Sequence, residues 1–161
     1  LGADKLIGVE VSDERIELAR KLNLVDEVFK PGPETLEKIR AATGGRGVEK
    51  AFDASAADAG RQLAIRAARQ WGKIAFVGEG GTVTFNPSPD IIHDQKTIYG
   101  SWVTSIWKME DLVEHLVRWG IHPEELITHR FSLDEADKAY ELMASGKCGK
   151  VAVCFDEELP S

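Results

Sequence analysis

Short apolar runs alternate along the chain with stretches whose apolar residues recur at helical spacing. That alternation predicts βαβ units around a mostly parallel sheet, an α/β fold. Leu6–Val11 reads as a buried strand carrying an acid, Glu10, near its end. Ser12 then offers an N-cap, with Asp13 and Glu14 in the first turn, where the helix dipole favours anions. Ile16, Ala19, Leu22 and Leu18 form the apolar face of this helix. Asn23 ends it, because Asn tolerates the left-handed conformation past a helix end. Val25–Phe29 is a second, short strand.

Pro31-Gly32-Pro33 marks a turn, with Pro33 at the first position of a helix that Gly44-Gly45 ends. Val48–Ala54 is the third strand, and an Ala-rich helix over 58–71 follows, with Leu63, Ala64, Ala67 and Ala68 inward. Lys73–Val77 is the fourth strand and runs into Gly78-Glu79-Gly80-Gly81. Residues 82–89 read as an extended excursion and turn, and 96–103 as a fifth strand. Met109, Leu112, Val113, Leu116 and Val117 repeat at helical spacing before Gly120. An extended run over 126–131 leads into Ser132-Leu133-Asp134-Glu135, which has the form of a capping box. The helix behind it turns Leu133, Ala136, Tyr140 and Met143 inward and stops at Gly146; 151–155 is the last strand, with Cys154 buried in it. The tail after Asp156 is expected to be loose.

Composition narrows the class. The chain is 43% hydrophobic and 29% charged, as globular proteins are, and its net charge is −7. A nucleic-acid partner is disfavoured, because binding phosphates requires a basic face. No apolar run is long enough for a membrane span. The start, Leu1-Gly2-Ala3-Asp4-Lys5, has neither an initiator Met nor a signal-peptide layout, which predicts a truncated or processed chain in the cytoplasm. Cys148 and Cys154 lack the C-x-x-C spacing of a structural zinc site. His93, His115, His122 and His129 form no ligand constellation; His129 reads as structural and His115 as solvated or packed. The four tryptophans read as core or interface residues.

The strongest chemical signal is Glu10. An acid at the carboxyl end of a strand, followed at once by a helix, suits the ribose position of a dinucleotide fold. Its oxygens would accept from the 2′- and 3′-hydroxyls, and its charge would repel a 2′-phosphate. Arg15 could cover the adenine or bond the ribose. The glycine fingerprint G-x-G-x-x-G, due about 20 residues earlier, has no room before this strand. Gly78-Glu79-Gly80-Gly81 lacks its spacing. These glycines, like Ser55, stand at carboxyl ends of strands, where a parallel sheet binds ligands; they allow either close approach to a cofactor or a turn with positive φ.

The run from Ile7 through Ala19 (Ile7-Gly8-Val9-Glu10-Val11-Ser12-Asp13-Glu14-Arg15 and onward) resembles the second strand and helix of zinc-dependent medium-chain alcohol dehydrogenases. Gly47-Val48-Glu49-Lys50-Ala51-Phe52-Asp53-Ala54-Ser55 is similar to that family's fourth strand, and Gly72-Lys73-Ile74-Ala75-Phe76-Val77-Gly78 to its fifth. Ile127 to Leu133 and Gly146 to Val151 resemble its C-terminal segment. The pieces cover nearly the whole chain in order.

The resemblance implies an NAD-linked oxidoreductase acting on an alcohol or polyol. By position, Glu10 and Arg15 would hold the adenosine ribose, with Ser55 near the adenine. Val77, Gly78 and Glu79 would line the nicotinamide, Ser101 and Val103 would meet its carboxamide, and Lys150 would reach the pyrophosphate. Residues 1–102 would form a Rossmann-like NAD-binding domain lacking its first strand, and 103–161 would return to the catalytic domain. The family's zinc ligands would lie upstream of Leu1, so this chain would bind no zinc, contribute no catalytic residue and be inactive alone. In a sheet of order 3-2-1-4-5-6, the strands at 6–11 and 48–54 would be numbers 2 and 4, expected to close up directly or borrow a strand from another chain. The segment 97–103 would be the edge that pairs in a homo-oligomer. Two other readings are a methyltransferase-like fold for S-adenosylmethionine, which also places an acid after its second strand, and a non-catalytic dinucleotide-binding remnant. The capping box and the Gly-Lys-rich final strand argue against the former.

Overall fold

The computed structural model describes residues 2–155. They fall into two compact units, one made of residues 1–31 and 106–161, the other of 32–105. The fold is mixed α/β, and every strand pair in it is parallel. That matches the Rossmann-like α/β class expected.

In the first unit, β1 (Ile7–Val9) pairs with β2 (Glu27–Phe29) through α1 (Asp13–Lys21). Local chemistry sets α1. Ser12 Oγ accepts from the Arg15 N–H at 3.4 Å, Asp13 and Glu14 occupy the first turn, and Ile16 is buried. Asn23 takes φ 50° just past the helix end, the left-handed position expected of it. After α4 (Ile106–Trp119), β6 (Ile127–Ser132) and β7 (Lys150–Cys154) pair across α5 (Ala136–Ser145). Gly146 ends α5 at φ 70°.

Several expectations are corrected here. The capping box opens a short 3-10 turn, Leu133–Glu135, before α5 begins. The Ser132 hydroxyl donates to the Glu135 carboxylate at 3.3 Å instead of accepting from a backbone N–H. Tyr140 and Met143, read as inward, are 67% and 55% exposed; Leu133 is exposed too, and Ala139 carries the burial. α4 buries no residue at all, despite its strong apolar stripe. Periodicity identifies the face that a helix offers, not whether something covers it. None of the four tryptophans is buried. Cys148 is buried, whereas Cys154 is only partly so.

The second unit carries β3 (Val48–Asp53), β4 (Ala68–Phe76) and β5 (Thr97–Gly100) in the order β3-β4-β5. Ala51 aligns with Ile74, and Ile74 with Ile98. Helices α2 (Thr35–Ala42) and α3 (Asp58–Ala67) connect into this sheet. Ile65 and Ile74 are fully buried, joined by Ile39, Ala67 and Ala68. The helix expected to run to Trp71 stops at Ala67, because Ala68 is already extended at ψ 132°. A distant bond fixes the detour: the Trp71 N–H donates to Asp94 O at 2.8 Å while Trp71 sits at φ 60°. Pro33 lies in the turn, two residues before α2, and Gly32 N–H donates to Thr35 Oγ1 at 2.8 Å. Residues 82–86 carry no regular structure, and a single π-type turn, Ser88–Ile92, follows them. The fifth strand ends at Gly100, so residues 101–103 lie outside the sheet.

Among the described residues β1 pairs only with β2, and β3 only with β4. Val9, Val11 and Phe52, at or beside these open edges, stay exposed.

Candidate cofactor site

At the carboxyl end of β1 the chain turns sharply into α1, which brings Glu10 and Arg15 together. Glu10 Oε1 accepts from Val11 N–H at 2.7 Å, Ser12 N–H at 3.0 Å and Arg15 Nη2 at 2.9 Å. That oxygen is saturated. Arg15 Nε lies 2.9 Å from Oε2 but without the alignment of a hydrogen bond, so this contact is an ion pair only. Oε2 therefore keeps acceptor capacity. Partial burial pushes the Glu10 carboxyl up, but the bonds from Arg15, Ser12 and Val11 outweigh it and hold the group below the usual glutamate value. The Glu10 bond likewise raises Arg15. The carboxylate is thus ionised, fixed in direction, and 30% exposed.

The turn between α5 and β7 reaches the same helix. Arg15 Nη1 approaches Gly146 O at 3.5 Å, and a side chain at Gly149 would strike Leu18 and Thr128. Lys150, exposed at the start of β7, therefore belongs to the unit that holds Glu10 and Arg15.

The remaining expected residues lie in the other unit. Ser55 follows β3, and its hydroxyl is consumed within its own loop: it donates to Asp53 Oδ1 at 2.6 Å and accepts from Ala57 N–H at 3.2 Å. The Val77 and Gly78 N–H groups both donate to Asp53 O, at 2.9 and 3.2 Å. Gly78 also lacks room for a Cβ, which would stand 2.5 Å from Ala56 N. Its bareness thus serves the packing of two loops, 53–56 and 76–81. Positive φ is needed at Gly80 and Gly81 instead. Glu79 is exposed, and neither its side chain nor the Val77 carbonyl has a hydrogen bond among the described residues. Ser101 N–H donates to Phe76 O at 3.0 Å, extending the ladder by one bond, while Val103 is 75% exposed at φ 43°, a strained conformation for a β-branched residue.

Two residues that periodicity passes over organise this end of the sheet. Asp53 and Arg61 have side chains only 4% and 10% exposed, and Arg61 Nε lies 3.5 Å from Asp53 Oδ2. Arg61 Nη2 donates to Gly78 O at 2.7 Å, and the guanidinium lies 5.5 Å from the Phe76 ring centroid. A charged residue within the apolar spacing of α3 reads as solvated. The signal that could have found it is its place, four residues before the buried Ile65, on a helix that opens just after Asp53.

His115 packs on Trp119 with ring centroids 4.6 Å apart at a tilt of 57° and is half-buried, and the exposed His129 has Nδ1 2.9 Å from Thr128 Oγ1. Among the described residues no group of three His, Cys, Asp or Glu side chains could hold a metal. The described residues do not fit a zinc centre. No helix among them is long and apolar enough to cross a membrane.

The family model for zinc-binding dehydrogenases matches residues 1–118. The chain belongs to the zinc-binding dehydrogenase family. Relatives of this dehydrogenase chain include an uncharacterised zinc-type alcohol dehydrogenase-like protein, YphC, of Escherichia coli, 43% identical over 97% of the chain. An L-threonine 3-dehydrogenase of Pyrococcus horikoshii is 33% identical over 93% of it. The solved alcohol dehydrogenase of Thermotoga maritima superposes on 94% of the chain with a TM-score of 0.82 at 26% identity. In each case the chain spans about 44% of the other protein's length.

Proposed function

We propose that this chain is the NAD-binding portion of a zinc-dependent oxidoreductase that moves hydride between an alcohol or polyol and NAD. The observation that carries the reading is the Glu10 carboxylate. It is ionised, held by Arg15 and two backbone N–H groups, and left with an open acceptor at Oε2. A ribose hydroxyl donating there would exchange one water for one charge-assisted bond with little ordering cost. The earlier picture of both oxygens accepting from the ribose narrows to Oε2, because Oε1 is full.

Arg15 would hold Glu10 in place, and Lys150 would supply charge for the pyrophosphate. Ser55 would shape the adenine side through its loop. The Val77 carbonyl, Gly78 and Glu79 would border the nicotinamide, with Ser101 and Val103 offering carbonyls to the carboxamide. NAD, when bound, supplies the ring that accepts hydride. The domain division at residue 102, a homo-oligomer through the β5 edge and a cytoplasmic location complete the proposal, the last in keeping with two free cysteines.

Calorimetric titration tests it. NAD should bind and NADP more weakly, and Glu10→Gln should weaken NAD by about tenfold or more. The 161 residues alone should show no turnover with any alcohol. Equal affinity of Glu10→Gln and wild type for NAD would remove the basis of the reading, and S-adenosylmethionine binding in place of NAD would redirect it.

A further inference from the structure

The amino ends of β3, β4 and β5 border an open cleft of about 510 Å³, at the opposite end of that sheet from Gly78. Its lining is cationic in a chain whose net charge is −7: Arg40, Arg46, Arg66, Arg69 and Lys96 face it, against Asp90 and Asp94. Both acids are already engaged. Asp94 pairs with Lys96 at 2.9 Å, and Asp90 accepts from Asn86 N–H at 2.8 Å.

The cations are not equally engaged. Arg40 and Arg69 hold rim carboxylates, Glu37 at 3.2 Å and Glu49 at 3.0 Å, in exposed pairs that exchange readily. Arg46 and Arg66 have no ion pair or side-chain hydrogen bond among the described residues. Two helices end here, and bare carbonyls would repel an anion. Three of those carbonyls carry side-chain donors: Thr43 Oγ1 donates to Ile39 O and Arg40 O at 2.8 and 3.0 Å, and Lys96 Nζ to Ile65 O at 3.1 Å. Lys96 is anchored there with its side chain 4% exposed and its charge matched by Asp94, so the pair adds no net charge to the cleft. Gly45, at φ 80° with open space where a Cβ would stand, leaves the mouth clear.

We infer that this cleft is an anion site, distinct from Glu10 and the β-strand carboxyl ends, for a small molecule carrying two or more linked phosphates. Guanidinium forks match phosphate oxygens in pairs, and two uncompensated arginines with two exchangeable ones suit a phosphate chain better than a single phosphate.

Titration of the 161-residue chain with inorganic tripolyphosphate at low salt tests the inference. Expected is saturable binding, at least about tenfold tighter than for orthophosphate, weakening as salt rises. Arg46→Gln and Arg66→Gln should each weaken it by about tenfold, while Arg118→Gln, on the exposed face of α4, should change it less than about twofold. Circular dichroism of each variant verifies folding, which these exposed side chains should not disturb. ATP in a parallel arm separates the sources: tighter binding than tripolyphosphate assigns a nucleotide, equal binding assigns the phosphate chain alone, and either supports the site. Absence of saturable binding at millimolar tripolyphosphate overturns it. So does binding indifferent to Arg46 and Arg66, or lost equally in Arg118→Gln.

Discussion

Two acid–arginine pairs stand at carboxyl ends of parallel strands, and they do different work. Glu10–Arg15 is about a third exposed, sits at 2.9 Å and leaves one carboxylate oxygen open. Asp53–Arg61 is almost wholly buried at 3.5 Å: both Asp53 oxygens accept, from Ser55 and Ala56, Arg61 Nη2 donates to Gly78 O, and Arg61 Nε makes no hydrogen bond. The first pair is fixed yet unsaturated, which suits a ligand. The second is spent on backbone, joining the loop after β3 to the loop after β4. Charge and position along the strand are alike, and burial together with the acceptor capacity left on the carboxylate separates the two pairs.

The largest test breaks the brace. Asp53→Ala strands the Arg61 guanidinium in the interior and should cost about 3–5 kcal/mol, read from urea unfolding. Replacing both, Asp53→Leu with Arg61→Met, should recover part of that, because no buried charge is left alone. A loss below about 1 kcal/mol for Asp53→Ala would put the pair in the same class as a surface ion pair.

Next comes the joint the brace closes. Gly78→Ala puts a methyl 2.5 Å from Ala56 N and should cost about 1–3 kcal/mol, with no compensating change in the β1 region. Thermal unfolding of that variant beside Gly45→Ala separates crowding from glycine chemistry in general. At Gly45 a Cβ meets open space, leaving only the strain of φ 80°.

The smallest effect belongs to the exposed pair. Glu10→Gln should lower stability by under about 1 kcal/mol, since solvent screens the partners. Its pH signature has a definite sign. The folded Glu10 carboxyl lies below its ordinary value of 4.5, so its contribution is complete above that value and is lost as pH falls through the folded value. Wild-type stability should therefore drop below the ordinary carboxylate range more steeply than that of Glu10→Gln. Parallel acid unfolding curves would show that Arg15 does not favour the charged form.

These differences mark what was legible in the sequence. Elements set by neighbours along the chain were readable: Ser12 as cap, Asn23 as left-handed end, Glu10 at the strand–helix turn. Elements set from a distance were not. α3 gives way to a strand at Ala68 because Asp94 holds Trp71 and Lys96 holds Ile65. Arg61 escaped because a helical pattern assigns charge to solvent, whereas this guanidinium has a carboxylate, a carbonyl and a ring around it. The inward assignment of Leu133, Tyr140 and Met143 failed for the opposite reason: the apolar face exists, as it does on α4, and nothing among the described residues covers it. At Ser55 and Gly78 the residues stand where the family pattern puts them, yet their bonding serves the loops themselves.

The division of the chain into units has a consequence in time. The unit holding Glu10 is discontinuous, needing residues 1–31 and 106–161, whereas the other is one unbroken run, 32–105. On a ribosome the unbroken run is complete before Ile106 is made, so the buried brace can form on the nascent chain. β1, α1 and β2, although they precede that run, wait for the turn from Gly146 to Gly149, which packs against Leu18. The earlier part of this unit is thus completed last, and Glu10 stands in it.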